Sequence, residues 1–332
     1  MQTPVALIIF NRPDVTERVF REIARARPPK LLVIADGPRA EKAGDAEKCL
    51  ATRAIIDRVD WDCTVLQNYS DVNLGVGSRP ATGIRWVFEE VEEAIILEDD
   101  CVPHPTFFRY CDELLEKYRD DERVMHISGD NWHYGDEQRA FSYFFSCYCY
   151  SCGWATWRRA FQHYDPDIRL WPILRDTSWL FDILGDREAV EFWKSKFDLT
   201  YATGMENNGW DWPWLFACWA QRGLSILPST NLITNIGFAE DATHTKRTDD
   251  QRANIPTVEM IFPLKHPPYM VRDREADQLI VEQVGLSPEP KDLYHQLRRI
   301  CVDALPPPLR KSLASLRSTL LRREYNGSER SR

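Results

Sequence analysis

Through its first 130 residues, the chain alternates short apolar runs with segments that repeat apolar residues at helical spacing. The run Val5–Phe10 is followed by a helical pattern over Asp14–Ala26 and then by a second apolar run, Leu31–Ala35. This alternation is typical of βαβ units, in which successive strands pair in parallel and helices cover the sheet. The sequence therefore predicts an α/β fold with a mostly parallel sheet and helices on both faces.

Polar residues follow three of the predicted strands. The pattern predicts further elements, which are a helix over Ala46–Val59, a strand over Cys63–Leu66, a helix over Thr82–Val91 and a strand over Ala94–Leu97. Asn11-Arg12 follows the first strand, Asp36-Gly37 the second, and Glu98-Asp99-Asp100 the last. Because the carboxyl ends of parallel strands meet along one edge of a sheet, we expect these residues to converge there.

The composition changes after Asp130, since ten of the twelve tryptophans lie between Trp132 and Trp219. We therefore predict three regions, which are residues 1–130, an aromatic-rich half over 131–285 and a basic tail over 286–332. Aromatic rings suit the C–H patches that a sugar ring presents between its hydroxyls. Ordinary core packing of these tryptophans is the alternative.

Charge and cysteine content exclude several classes of protein. The 42 Lys and Arg residues stand against 51 Asp and Glu, a net charge of −9, so we expect no nucleic-acid partner. No apolar run approaches the roughly 18 residues of a membrane-spanning helix. The nine scattered cysteines favour reduced thiols in a cytoplasmic protein. Cys147, Cys149 and Cys152 have a spacing that a metal could use, but they lie in the aromatic run Phe141–Trp154, which predicts a strand, so packing is the favoured interpretation.

The acidic triplet Glu98-Asp99-Asp100 directly follows an apolar strand. Carboxylates held a few ångströms apart raise one another's pKa unless a cation compensates their charge. Hard cations such as Mg²⁺ and Mn²⁺ bind carboxylate oxygens and complete their coordination with phosphate and water. The triplet therefore indicates a divalent metal site, with solvated acids at a strand end as the alternative.

The segment Ile95–Asp100 resembles the metal motif of GT-A glycosyltransferases, in the Glu-Asp-Asp form of the N-acetylglucosaminyltransferase I family. Further segments are similar in the same order, and these are Pro4–Pro13 (first strand), Val33–Gly37 (second strand), Asn73-Leu74-Gly75 with Arg79 (the phosphate-side loop of family-2-like bacterial glycosyltransferases), Gly153–Trp157 (a turn of the acceptor half) and Gly209–Trp212 (the region of the catalytic carboxylate). The resemblance implies a GT-A type, Rossmann-like sheet. Residues 1–130 would bind the nucleotide-sugar and 131–285 the acceptor.

The resemblance also assigns roles to individual residues. The nucleotide-sugar would be bound by Asn11, Arg12, Asp36, Gly75, Arg79, Glu98 and Asp99. Asp100 would be the direct metal ligand, and the acceptor would lie against Trp154, Trp210 and Trp212. The alternatives are a surface salt bridge for Arg12 and a turn or helix cap for Asp36.

Glycosyl transfer requires a carboxylate that removes the proton of the attacking hydroxyl. Asp130, Glu206 and Asp211 are candidates, and Asp211 matches the family's catalytic base. Pro213 favours a helix start at this point, so a helix N-cap is the alternative role for Asp211. A single base opposite the leaving group implies inversion at the anomeric carbon, which follows from the resemblance.

The implied activity is a metal-dependent glycosyltransferase of the hexosyl or N-acetylhexosaminyl class, with Mn²⁺ or Mg²⁺ as cofactor. The donor would be a nucleoside-diphosphate sugar, with a UDP-sugar favoured, and the acceptor a saccharide or glycolipid of surface polysaccharide synthesis. A sugar-nucleotide pyrophosphorylase is one alternative, but Asn11-Arg12-Pro13 is not the glycine-rich loop of those enzymes. A catalytically silent binding module is another, against which the acidic triplet and Asp211 argue.

Two polar segments complete the predictions. Residues 236–250 have no periodicity and are predicted to form a lid over the bound donor. Within them, His244 lies where many GT-A enzymes carry a late metal ligand, and a solvent-facing loop position is the alternative.

In the tail, leucines recur at helical spacing beside basic residues, and these are Leu309, Leu313, Leu316, Leu320, Arg310, Lys311, Arg317, Arg322 and Arg323. An apolar stripe beside a basic face is typical of a helix in a membrane interface. We expect peripheral contact with the cytoplasmic membrane face. Packing on the catalytic domain or on a second subunit is the alternative.

Overall fold

The computed structural model describes residues 1–131, 139–206, 209–238 and 253–283, which belong to one unit, Met1–Gln283. The strands are β1 (Val5–Ile9), β2 (Lys30–Ala35), β3 (Thr64–Tyr69), β4 (Glu93–Glu98), β5 (Cys101–Pro103), β6 (Val124–Ser128), β7 (Tyr143–Ser146), β8 (Trp154–Trp157), β9 (Leu224–Pro228) and β10 (Ile233–Asn235). The helices are α1 (Pro13–Ala26), α2 (Asp45–Ala54), α3 (Gly75–Glu90), α4 (Pro105–Lys117), α5 (Arg158–Phe161), α6 (Trp171–Leu174), α7 (Trp179–Leu184), α8 (Arg187–Thr203), α9 (Asp211–Ala220) and α10 (Arg274–Gln283), with 3₁₀ turns at Ile56–Arg58 and Gly204–Glu206.

Eight strands form one sheet in the order β3-β2-β1-β4-β8-β6-β9-β7. The first four pair in parallel, as do β6 and β9. β8 is antiparallel to β4 and β6, and β7 is antiparallel to β9. β5 and β10 form a separate antiparallel pair. The prediction of an α/β fold with a mostly parallel sheet is confirmed, and the strands of both predicted halves share this sheet.

The central strands are apolar along their whole length because helices cover both faces of the sheet. On β1, Val5, Leu7 and Ile9 pack into one buried cluster, to which α1 contributes Val19, Phe20 and Ile23. The alternate residues Ala6 and Ile8 pack into a second cluster with Ile84, Val87 and Phe88 of α3. The sheet is therefore covered on both faces, as predicted.

Two element boundaries differ from the predictions. α3 begins at Gly75 rather than near Thr82, because Gly75 adopts a φ of +81° that opens the helix. Residues predicted to form an extended phosphate-side loop are thus the first turn of a helix. The apolar run Phe141–Trp154 was predicted to be a strand, but it contains the separate strands β7 and the start of β8, joined by a loop.

Most of the tryptophan-rich region belongs to the core. Trp154, Trp171, Trp214 and Trp219 are among the largest fully buried side chains. None of the helices among the described residues is both long and apolar enough to cross a membrane. The lid from residue 239 onward, which includes His244, and the tail 286–332 lie outside the described residues.

His126 lies on β6 and is fully buried among aromatic rings. Its ring stacks on Trp154 at 4.9 Å between centroids, and Trp154 stacks on Trp210 at 5.5 Å. Nδ1 accepts a hydrogen bond from Trp214 Nε1 (3.1 Å), so Nε2 carries the proton and donates to the carbonyl oxygen of Tyr150 (2.9 Å). The imidazole is neutral, and burial lowers its pKa to about 3.

Stability should therefore fall as the pH drops below the unfolded-state pKa of His126. The folded-state pKa of His126 is about 3, whereas the ordinary value is 6.5. Between these two pH values, only the unfolded state readily binds the proton. The free energy of unfolding should decline by about 1.4 kcal/mol per pH unit from about pH 6.5 downward. Urea unfolding at several pH values measures this slope.

The substitution His126→Gln removes the titrating group and should make the slope shallower by that amount. His163→Gln, at an exposed position, is the matched control and should leave the slope as in the wild type. Equal slopes in the wild type and His126→Gln would contradict the assignment.

Candidate active site

Arg12 joins the ends of two neighbouring strands. It follows β1, while Asp99 and Asp100 follow β4, which pairs with β1. Its Nε donates to Asp99 Oδ2 (3.3 Å), and its Nη2 donates to Asp100 Oδ2 (2.8 Å) and to Asp99 Oδ1. The predicted convergence of these strand ends is therefore present. The parallel pairing of β1 with β4 brings these ends together, and Arg12 forms a partly buried ion pair there rather than a simple surface salt bridge.

The acidic triplet holds more negative charge than Arg12 neutralises. Burial raises the pKa of Glu98 to about 8, and the charges of Asp100, Asp99 and Asp211 add to this effect. Burial also raises the pKa of Asp99 to about 6, although Arg12 acts in the opposite direction. Asp99 and Asp100 lie together at this strand end, and carboxylate oxygens are the ligands that hard divalent cations prefer.

Asp36 organises the loop that enters α3, and its contact with the nucleoside remains a prediction. Its Oδ1 accepts from the backbone N–H groups of Gly37 and Leu74 (both 2.9 Å). Its Oδ2 accepts from Gly75 N and Asn73 Nδ2 (both 3.0 Å). A carboxylate has about four lone-pair sites, so the protein itself occupies them. Asp36 acts as the cap of α3, the alternative that the sequence left open.

Arg79 also forms structural hydrogen bonds, and its predicted contact with the diphosphate remains a prediction. Its side chain is buried. Nε donates to the carbonyl oxygen of Ala35 (3.1 Å), and Nη2 donates to Asn68 Oδ1 (2.8 Å) and to the Asn68 carbonyl oxygen. Arg79 therefore satisfies carbonyl groups at the ends of β2 and β3, because these strands end next to the first turns of α3.

Asn11 contacts the start of α2 in this structure. Its Nδ2 donates to Asp45 Oδ1 (2.6 Å), and Asp45 also accepts from the backbone and side chain of Arg39. The hydrogen bond from Arg39 is the main reason that the pKa of Asp45 is lowered. The amide nitrogen of Asn11 is thus engaged within the protein, and its role as a nucleotide-sugar ligand remains a prediction.

A cavity of about 390 Å³ opens beside the acidic triplet. Its lining includes residues from both predicted halves of the chain, and these are Val76, Glu98, Asp130, Cys149, Tyr150, Ser151, Cys152, Gly209, Trp210, Asp211, Trp212, Ile233, Asn235, Phe238 and Ile255. We name it the acidic cavity. A larger cavity of about 690 Å³ lies against the edge strand β7. It contains no member of the triplet, so the chemistry indicates the smaller one.

The structure separates the three tryptophans predicted to bind an acceptor. Trp210 and the half-buried Trp212 flank Asp211 in the wall of the acidic cavity. Trp154 is fully buried behind Trp210, which corrects its predicted contact with an acceptor. Asp211 is the first residue of α9, as the position of Pro213 predicted.

Gly237 leaves the space that the Asp100 side chain occupies. No local sequence pattern identifies this glycine as part of the site. A Cβ atom at Gly237 would overlap Asp100 Oδ2, while Ile236 N donates to the Asp100 carbonyl oxygen (2.9 Å). Asn235, which pairs with Cys101 in the β5–β10 sheet, completes this wall. Their contribution depends on a pairing between distant segments, for which the local sequence carries no signal.

The structural role of Asp36 predicts a large loss of stability on truncation. Asp36→Ala removes the acceptor of the buried Gly37 N–H and of three part-buried N–H donors, and should lower the free energy of unfolding by about 3 kcal/mol in urea titrations. Asp60→Ala, at an exposed loop position, should change it by less than about 0.5 kcal/mol. A stable Asp36→Ala protein that had lost only nucleotide affinity would instead support the predicted nucleoside contact.

No model of a known protein family matches the sequence, and no curated protein matches it. Among solved structures, S. aureus TarS 1–349 is similar at 11% identity and a TM-score of 0.39, with 70% of this chain and 60% of that chain covered. Mouse xyloside xylosyltransferase 1, in its apo form, has 10% identity and a TM-score of 0.33, with 65% and 81% covered. The chain thus spans less than two thirds of the TarS fragment, and likenesses at these scores carry no conclusion about function.

Proposed function

We propose that the protein is a metal-dependent glycosyltransferase that moves a sugar from a nucleoside-diphosphate sugar to an acceptor hydroxyl. One observation carries the proposal: Glu98 of the acidic triplet and Asp211, 113 residues apart in the sequence, line the same cavity. Such a transfer needs a metal ion at the leaving diphosphate and a carboxylate at the attacking hydroxyl, on opposite sides of the reacting bond. The acidic triplet would hold the metal, and Asp211 would be the carboxylate.

Asp100 is the proposed ligand of Mn²⁺ or Mg²⁺. Among the described residues, its Oδ1 receives a hydrogen bond only from the thiol of Cys101, 3.4 Å away, and Oδ2 is held by Arg12. The described part of the chain contains no ready-made group of three His, Cys, Asp or Glu ligands. Diphosphate oxygens and water would therefore supply the remaining positions, as is usual for Mg²⁺. A bound cation would stabilise the negative charge of the departing diphosphate.

Arg12 contributes to this site by holding Asp99 and Asp100 in place. Its side chain is about one quarter exposed, at 26%, so part of it is accessible to solvent. An anionic diphosphate would therefore approach a surface where a fixed cation offsets part of the carboxylate charge. We therefore continue to propose that Arg12, Glu98 and Asp99 take part in donor binding.

Asp211 is the proposed catalytic base. Asp211 stands at the start of α9 and lines the cavity together with Trp210, which is 4% exposed, and Trp212, so aromatic side chains would limit access of water. An acceptor hydroxyl against these rings would pass its proton to Asp211 as its oxygen attacks the anomeric carbon. The bond from that carbon to the diphosphate breaks in the same step. Attack from the face opposite the leaving group would invert the configuration.

The finer assignments rest on the resemblance of the sequence motifs. A UDP-sugar is the favoured donor of a hexosyl or N-acetylhexosaminyl group, and a saccharide or glycolipid is the favoured acceptor, in surface polysaccharide synthesis. His244 is retained as a proposed second metal ligand. Peripheral contact of the tail with the cytoplasmic membrane face is likewise a proposal.

The metal site can be tested by ligand-induced stabilisation. UDP with Mn²⁺ should raise the melting temperature of the wild type, because a ligand that binds only the folded state stabilises it. Asp100→Ala should abolish the metal-dependent part of this shift, and the exposed-site variant Asp60→Ala should retain it. A full shift for Asp100→Ala, or a wild-type shift unaffected by a chelator, would contradict the assignment.

The catalytic base can be tested by separating binding from rate. Asp211→Asn keeps the shape of the side chain, so it should bind the donor as the wild type does while releasing UDP from a UDP-sugar about 10²- to 10⁴-fold more slowly in the presence of acceptor. Glu206 is another of the three candidates for the base, and the Glu206→Gln variant should transfer the sugar at the wild-type rate. Near wild-type transfer by Asp211→Asn would move the base elsewhere.

A further inference from the structure

Two cysteines meet at the wall of the acidic cavity. Cys101 directly follows Asp100 and begins β5, and Cys152 lies in the loop between β7 and β8. Although they are 51 residues apart in the sequence, their Sγ atoms are 2.8 Å apart. A covalent S–S bond is about 2.05 Å long, so a movement of less than about 1 Å would bring the two sulfurs to bonding distance.

The two thiols differ in their access to solvent. Cys101 is 1% exposed, and its Sγ also contacts Asp100 Oδ1. Cys152 is half-buried and lines the acidic cavity. A small oxidant that enters the cavity therefore reaches Cys152 first, with Cys101 directly behind it. A solvent-accessible thiol with a second thiol directly beside it is the geometry that formation of a disulfide requires.

We propose that Cys101 and Cys152 form a reversible disulfide in the wall of the acidic cavity. Reaction of Cys152 with hydrogen peroxide breaks the O–O bond, gives a sulfenic acid and releases one water. Cys101 Sγ then attacks Cys152 Sγ, the S–O bond breaks, and the hydroxyl leaves with the Cys101 proton as a second water. Two electrons pass from the thiols to the peroxide. A small-molecule dithiol returns them when it reduces the bond.

The bond would tie the residue next to Asp100 to the loop that contains Tyr150 and Ser151. Both of these residues line the cavity, so the bond would hold this wall and the start of β5 at a fixed separation. It would also remove the proton with which the Cys101 thiol contacts Asp100 Oδ1. Formation of the disulfide itself does not depend on the proposed transferase activity.

Other described cysteines provide the comparison. Cys111 and Cys147 are buried in the protein interior, which agrees with the packing role predicted from the sequence. Cys149 lines the same cavity as Cys152; burial raises the pKa of the Cys218 thiol, and the neighbouring Cys149 adds to this effect. Cys149 is therefore the competing partner that a test must separate from Cys101.

The test is to oxidise the full chain with hydrogen peroxide, block the remaining thiols and map cross-linked peptides by mass spectrometry. The expected product joins Cys101 to Cys152 and disappears after treatment with dithiothreitol. Cys149→Ser, the matched control from the same cavity, should still form it, and Cys152→Ser should not. The oxidised protein should melt roughly 5 to 10 °C above the reduced one, because the bond closes a long loop.

Mapping of the wild type decides the question even if a variant fails to fold. Three results would each overturn the proposal. The first is a link between Cys152 and Cys149, and the second is oxidation of Cys152 to a sulfinic acid without a link. The third is that both thiols remain unreacted when an exposed control peptide is fully oxidised.

Discussion

The ion pair of Arg12 with Asp99 and Asp100 is the interaction on which the candidate site depends. Each partner stands at the end of a buried parallel strand, so the pair exists only because β1 and β4 are neighbours in the sheet. Removing one partner of such a pair leaves a poorly solvated charge and is expected to be strongly destabilising. The same pair sets the orientation of Asp100, against which Gly237 packs. The sheet and the site are therefore specified together.

Excess negative charge links this ion pair to the proposed chemistry. Burial raises the pKa of Glu98 to about 8, the charges of Asp100, Asp99 and Asp211 add to this effect, and a cation at Asp100 would relieve that repulsion. The aromatic stack of His126, Trp154 and Trp210 supports the opposite wall. Neutral, hydrogen-bonded His126 lets this stack remain buried without a charge. This packed aromatic core therefore holds Asp211 at the wall of the acidic cavity.

The sequence predicts those parts of the fold that local patterns determine. Strands such as β1 are uniformly apolar because both faces are buried, and the start of α9 follows from Asp211 and Pro213. The hydrogen-bond partners of Asp36 and Arg79 could not be predicted, since these backbone groups come close to the two side chains only in the folded chain. Glycines near position 75 lowered the apparent helical character of the first turn of α3. The contact of Cys101 with Cys152 has no local signal.

A crystal of the protein grown with Mn²⁺ and UDP would test the central claim most directly, through the anomalous scattering of the metal. The proposed function predicts a Mn²⁺ peak about 2.1 Å from a carboxylate oxygen of Asp100, bridging to the diphosphate in the acidic cavity. Arg12 should remain paired with Asp99. A metal bound away from Asp100, or UDP bound in the larger cavity beside β7 with none in the acidic cavity, would contradict the claim.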